Sequence, residues 1–224
     1  MKKIVVLFCI IFCALLAVPV FADDYLYFGF NYSNTLANGN FSHGIGGNFS
    51  AIGNYGGAKK VYAAFGFTAD VSSKRAINSN DLKQLGVKDV NTRFYSIPLR
   101  IGYPFMFNVV NENNRFLLIP ALAFNIHFFH ADFMQNLSGY KIKYDMSGWG
   151  FSLGPSLNIG MDHKFNKIYL RYGLDFDMRF LTLLLLDIKY TGDIKGSTST
   201  SSTDTIANSF MLTTSPYICI GFKL

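Results

Sequence analysis

Charged side chains at alternate positions are the first groups in this chain that could do chemistry. In the segment 168–180, Arg171, Asp175, Asp177 and Arg179 share one parity, and apolar residues occupy the other. Guanidinium and carboxylate groups at this spacing can pair with one another inside a low-dielectric interior. The same groups could instead line a narrow, charge-selective path. The spacing leaves both interpretations open.

A second set of residues has the types needed for nucleophilic catalysis. His127, His130 and Asp132 are close in sequence, and Ser138 follows them. No diagnostic spacing joins a nucleophile to a base here. The two histidines, three residues apart in an extended segment, would not converge on one metal ion. We therefore predict a protein that is not an enzyme, with no catalytic residue, no metal and no cofactor.

The elements that hold these groups are predicted to be β-strands. A period of two through 168–180 is typical of a strand with two unlike faces. Such a strand needs lipid on one side and a polar interior on the other. A slip of one residue would turn arginines toward lipid, at roughly 2–4 kcal/mol for each one at mid-bilayer. The pairing register should therefore be strongly specified.

The N-terminus and the composition indicate export. Lys2 and Lys3 precede an apolar run that ends at Val20-Phe21-Ala22, so residues 1–22 are predicted to be a signal peptide and 23–224 the mature domain. An uncleaved membrane helix is the alternative, disfavoured by the short run and the acidic residues after it. Only Cys219 lies beyond the leader, so no internal disulfide is expected. There is no basic cluster, which argues against nucleic-acid binding, and the 23 Phe and 13 Tyr suit two interfacial girdles.

The same alternation recurs along the mature chain and predicts eight strands. The segment 116–124 is apolar on both faces and is assigned as a strand because Pro120 lies at its centre. The strands are predicted near 24–33, 43–53, 60–71, 92–103, 115–128, 147–162, 167–180 and 209–224. The connectors between them alternate in length, as the external loops and periplasmic turns of outer-membrane barrels do. A ten-stranded alternative would add 104–114 or 181–190.

A sheet of this kind must close when it lies in hydrocarbon, because every backbone N–H and C=O there needs a partner. The predicted fold is therefore all-β: an eight-stranded antiparallel up-and-down transmembrane β-barrel. With its leader and its terminal strand 217–224, the chain resembles the small outer-membrane barrels of the OmpA, OmpX and OmpW type. The resemblance implies a bacterial outer-membrane location, a monomer, and contacts with outer-membrane lipid and with the barrel-assembly machinery. The assembly signal it implies is the alternating set Ile218, Ile220, Phe222 and Leu224.

The strand pattern places one set of charges and one apolar patch inside the predicted barrel. The charged set is Asp70, Arg100, Asp162, Arg171, Asp175, Asp177, Arg179 and Lys223. It is interpreted as a salt-bridged filling, with a gated pore as the alternative. By strand direction, Asp70, Asp177 and Arg179 should lie toward the outside, Asp175 near mid-height, and the others toward the periplasm. The apolar patch is Leu117, Ile119, Ala121 and Ala123.

The function is indicated less firmly than the fold. The connectors predicted to be external are long, and the segment 191–205 is rich in Ser and Thr. We predict a structural or surface-interaction role, adhesion-like or receptor-like, in which these loops contact host or environmental molecules. The alternative, which the OmpW likeness implies, is a narrow channel that passes small hydrophobic solutes through the apolar patch. A lipid-modifying barrel enzyme is the third possibility.

Overall fold

The computed structural model describes residues 25–37, 40–55, 59–71, 87–109, 111–137, 140–192, 201–205 and 209–223. The strands are β1 (Tyr25–Ala37), β2 (Asn40–Tyr55), β3 (Lys59–Asp70), β4 (Val87–Gly102), β5 (Phe105–Val109), β6 (Asn111–Leu137), β7 (Tyr140–Phe165), β8 (Ile168–Gly192), β9 (Ser201–Thr205) and β10 (Ser209–Lys223). These described residues include no helix long and apolar enough to cross a membrane. The predicted leader 1–22, Ser138 and Leu224 lie outside them.

Eight of the strands form one closed antiparallel ring. Its order is β1-β2-β3-β4-β6-β7-β8-β10, and β10 closes the ring by pairing with β1. The predicted eight-stranded antiparallel transmembrane barrel is therefore confirmed. The ten-stranded alternative is wrong. Phe105–Val109 pairs with β6 beyond the end of β4, and 181–190 simply continues β8.

The ring has two distinct ends. We call the end where β1 meets β2, β3 meets β4, β6 meets β7 and β8 meets β9 the loop end. The opposite end, where Tyr25 pairs with Lys223, is the turn end. There β7 and β8 are joined by the two residues Asn166 and Lys167, and Asn166 has a φ of 59°. Asparagine tolerates this left-handed conformation better than most residues, so it suits so tight a turn.

Side chains alternate between the two faces of the ring, as a period of two requires. Outward positions carry large apolar groups, among them Phe30, which is 77% exposed, and Ile101. Inward positions carry buried polar and charged groups, including Arg171 and Asp177. This is the arrangement expected when lipid surrounds the wall, because hydrocarbon cannot satisfy polar side chains.

The long strands β6, β7 and β8, together with the first residues of β4, extend past the rest of the ring at the loop end. Phe129–Leu137 pairs without a break with Tyr140–Gly148, although 129–146 was predicted to be a loop. At about 3.3 Å per residue these nine residues add roughly 30 Å of strand. We call the paired segments 129–137 and 140–148 the extension. The prediction of a loop is wrong because lysines and an aspartate alternate with Ile142, Tyr144 and Met146, which is itself a strand pattern.

Several other predicted connectors are shorter than expected. β1 reaches Ala37 and β2 begins at Asn40, while β4 begins at Val87. Part of the Ser/Thr-rich segment also pairs, since Ser201–Thr205 is β9 alongside β8. The backbone continues its ladder wherever a neighbouring strand offers partners, even when the side chains resemble those of a loop.

A substitution on the outer wall tests where lipid contacts the barrel. Phe30→Arg should lower the free energy of unfolding by roughly 2–4 kcal/mol, the cost of an arginine near mid-bilayer. The matched variant is Met134→Arg, at an exposed position on the extension, where we expect a change within about 0.5 kcal/mol. Both can be measured by urea unfolding in phospholipid vesicles, using the fluorescence of Trp149, the single tryptophan. Equal losses in the two variants would contradict this placement of the membrane.

Candidate functional site: the filled lumen

The turn-end half of the lumen is centred on one carboxylate. Asp162 of β7 accepts two hydrogen bonds from Arg171 of β8, from Nε at 2.7 Å and from Nη2 at 3.0 Å. The hydroxyl of Tyr27 donates to the same carboxylate at 2.8 Å, and Arg115 Nη2 lies 3.3 Å from it. Asp162 has no solvent exposure and Arg171 has 1%. A buried carboxylate is tolerated here because several donors satisfy it together.

Tyrosine rings complete this cluster. The guanidinium carbon of Arg171 lies 3.5 Å from the centre of the Tyr27 ring. That of Arg115 lies 4.6 Å from the ring centre of Tyr25 and 5.0 Å from that of Tyr169. All three distances are within the range of cation–π attraction. The aromatic faces therefore offset part of the extra positive charge that two arginines bring to one aspartate.

A second cluster crosses the lumen nearer its middle. Arg100 of β4 donates to Asp177 of β8 through Nε at 3.1 Å and Nη2 at 2.8 Å, and its Nη1 lies 3.4 Å from Asp175. In the ring, β6 and β7 separate β4 from β8, so this side chain spans the interior. Ser156 donates to Asp177, and the Asn158 amide donates to Asp175, each at 2.6 Å. Arg100 thus joins two strands that are three positions apart in the ring.

The loop-end half is polar but less completely paired. Arg179 Nη2 donates to Thr213, and its Nε lies 3.9 Å from Asp177. His127 Nε2 is 2.7 Å from the hydroxyl of Ser152. Within the described part of the chain, Nε and Nη1 of Arg179 and Nδ1 of His127 are buried without a hydrogen-bond partner in the protein. The turn-end half of the lumen is therefore the more completely paired of the two.

The predicted heights of the charges need correction. Arg100 was predicted near the periplasm and Asp177 near the outside, yet the two are in contact. The strands of a barrel tilt and are staggered, so equal positions along two strands lie at unequal heights.

The other predicted charges lie nearer the ends of the barrel. Asp70 is half-buried at the loop end of β3, and Lys223 is exposed at the turn end of β10. Arg115 was not among the charges predicted to face inward. It lies two residues before Leu117 on the same strand, so the alternation of side chains would have placed it inside the barrel as well.

The predicted apolar patch lies in the turn-end half. Leu117, Ile119 and Ala123 are buried and Ala121 is half-buried. Leu117 and Ile119 pack in one cluster with Ile52, Tyr62 and Ala64 from β2 and β3. Leu117 and Ile119 are thus part of a packed core that spans three strands.

The histidines are separated by the strand pattern. His127 is buried inside the ring, whereas His130 lies on the extension, 3.8 Å from Asp132 and 3.7 Å from Asp145. Across the described ranges, no group of three or more His, Cys, Asp or Glu residues could hold a metal ion. Ser138 is outside those ranges. The structure therefore does not bring His127 and His130 together into one site.

The terminal strand presents the residues that the resemblance marks as an assembly signal. Ile218, Ile220 and Phe222 are exposed on the outer wall, and Leu224 is beyond the described residues. Inward positions of the same strand supply Tyr217, which donates a hydrogen bond to Asn158 at 3.1 Å. One face of β10 therefore fills the lumen and the other faces lipid.

Comparison with known proteins agrees with this architecture. No known family profile and no curated protein matches the sequence. Among solved structures, a major outer membrane protein from Thermus thermophilus matches at a TM-score of 0.51 and 10% identity, over 89% of this chain and 99% of that one. The chain has the fold of the small outer-membrane β-barrels. Neisserial surface protein A is also similar, at 13% identity and a TM-score of 0.42, over 90% and 97% of the two chains.

A third similar barrel is Ail, the attachment invasion locus protein of Yersinia pestis. It matches at 10% identity and a TM-score of 0.42, over 92% of this chain and all of the other. At such identities the likeness concerns the fold, and the function must be argued from this barrel's own residues.

Proposed function

We propose that this barrel resides in a bacterial outer membrane and has a structural or surface-interaction role. The observation that carries the proposal is the Arg100 side chain, which spans the lumen to Asp175 and Asp177. A buried bridge of this kind is costly to open, because each charge would lose its partner in a dry interior. The interior is thus suited to holding the wall rigid, and neither steady solute transport nor catalysis is expected of it.

The extension supplies the surface for interaction. It combines exposed charged residues, Lys141, Lys143 and Asp145, with His130 held between two aspartates. Phe133 and Tyr144 stack across the two strands with ring centres 4.8 Å apart. Paired strands hold these groups in fixed positions, which lowers the entropy lost when a partner binds. The proposed partners are host or environmental surface molecules that meet the barrel at its loop end.

Removal of the extension tests this role. Phe129 and Gly148 are register partners, so a short Asn-Gly turn could join them and leave the ring below them paired, while the ends of β4 and β8 that flank the extension lose a neighbour. We expect cells that display this variant to lose at least about tenfold of their binding to immobilised host-matrix proteins and glycans. The control is Lys164→Gln/Lys167→Gln at the turn end, which should bind as the unchanged protein does.

Conductance tests the other half of the proposal. The unchanged barrel in a planar lipid bilayer should give no reproducible single-channel steps. Such steps would overturn the filled-lumen interpretation. A deletion variant that folds, reaches the surface and binds as well as the full chain would overturn the interaction role.

A further inference from the structure

A cavity of about 410 Å³ opens at the turn end, between β7, β8 and β10. Its size is within the range of about 300–1,000 Å³ in which proteins hold small organic molecules. Its lining residues are Lys164, Asn166, Lys167, Tyr169 and Lys223, and we call this site the lysine mouth. Three of the five are lysines and none is acidic, so the cavity has a concentrated positive charge.

The buried cluster next to the cavity also has a net positive charge. The ring of Tyr169 lies between the cavity and Arg115, whose guanidinium carbon is 5.0 Å from its centre. Asp162, the carboxylate that Arg115 contacts, also binds Arg171 and Tyr27. The buried cluster therefore has two cations and one anion, and its net charge has the same sign as the charges of Lys164 and Lys167. Several like charges at one site favour the binding of an anion.

The lysine mouth lies across the barrel rim from an apolar wall. Phe165, Ile168 and Phe222 are exposed on the outer face, and Lys164 and Lys223, each next in sequence to one of them, lie on the lumen side of the same rim. The turn of Asn166 and Lys167 is all that separates β7 from β8 at this edge. A single amphipathic molecule could therefore reach over this short rim, with its anionic group in the mouth and its apolar chains against the outer wall.

From this geometry we infer that the lysine mouth binds the phosphate headgroup of an anionic glycerophospholipid in the adjacent leaflet. The ammonium groups of Lys164 and Lys167 contact the phosphate, and the acyl chains lie along Phe165, Ile168 and Phe222. Lysines at a membrane boundary attract anionic lipids, and salt weakens the attraction. The site is independent of the extension and of its partners.

Native mass spectrometry can test this inference directly. The full mature barrel, released from micelles with equal amounts of phosphatidylglycerol and phosphatidylcholine, should retain phosphatidylglycerol several-fold more often. Lys164→Gln/Lys167→Gln should abolish that preference, and Lys167→Glu should reverse it. The matched control is Lys141→Gln/Lys143→Gln, which removes the same charge from exposed lysines at the loop end and should leave the preference unchanged.

Each other outcome counts against the site. Equal retention of the two lipids by the unchanged barrel would show that it does not select an anionic headgroup, and an equal loss in both lysine pairs would show only general attraction to charge. Displacement of the lipid by millimolar inorganic phosphate would assign the mouth to free phosphate instead. A heat-dependent shift in gel mobility, measured on every variant, confirms that the barrel has folded before its lipids are compared.

Discussion

Replacing Asp162 with alanine is expected to remove about 3–5 kcal/mol from the free energy of unfolding. This carboxylate binds Arg171, Arg115 and the hydroxyl of Tyr27, and it has no contact with solvent. Its removal leaves Arg171 buried without a countercharge, and that uncompensated charge is the main cost. The effect should be among the largest of any single substitution in the chain.

Urea unfolding in vesicles, followed by Trp149 fluorescence, measures this loss. The informative companion is Asp162→Leu/Arg171→Met, which removes both fully buried charges and leaves Arg115, whose side chain is 13% exposed. Because apolar side chains of similar volume can replace a buried pair at little cost, most of the stability should return. Asp132→Ala, on the half-exposed extension, should cost no more than about 1 kcal/mol. A small loss in Asp162→Ala would mean that water satisfies Arg171.

Arg100→Met is expected to destabilise the barrel by a similar amount, about 3–5 kcal/mol, for the opposite reason. Asp175 and Asp177 are both buried and would lose the guanidinium that they share. Arg100 is also the side chain that spans the lumen. We therefore expect cation-selective conductance to appear in planar bilayers, since two carboxylates would remain along an opened interior.

The companion variant separates the charge effect from the loss of packing. Arg100→Met/Asp175→Asn/Asp177→Asn removes the whole charged group and should recover most of the lost stability, because amides need no countercharge. Its conductance, if any, should show no preference for cations. A stable and silent Arg100→Met protein would refute the assigned role of this bridge.

The sequence was sufficient to predict the closed ring. Alternation as strict as that of 168–180 defines a strand and both its faces, and hydrocarbon then requires closure. The extension was missed for a physical reason. The pattern at Tyr144 and Met146 indicates a strand but does not say whether the strand lies inside or above the membrane. The assumption that external segments are loops therefore led to the wrong prediction for 129–146.

The lumen was harder to predict than the wall. The alternation of side chains along each strand was enough to predict which charges face inward, but it does not indicate which of them contact one another. These charges are Arg100, Asp162, Arg171 and Asp177. The stagger between strands sets relative height, and stagger depends on the pairing of all eight strands at once. The four donors on Asp162 come from β1, β6 and β8, a convergence that no local pattern contains.

The pairing of β1 with β10 has a consequence for biogenesis. Every other contact in the ring joins strands that are close in the chain, whereas this seam joins Tyr25 to Lys223. The chain can form its hairpins one by one, but the backbone groups on one edge of β1 stay unpaired until β10 pairs with them. Closure of the ring is therefore the last step of folding, and a chaperone that shields the edge of β1 until β10 pairs with it would protect the open-sheet intermediate from aggregation.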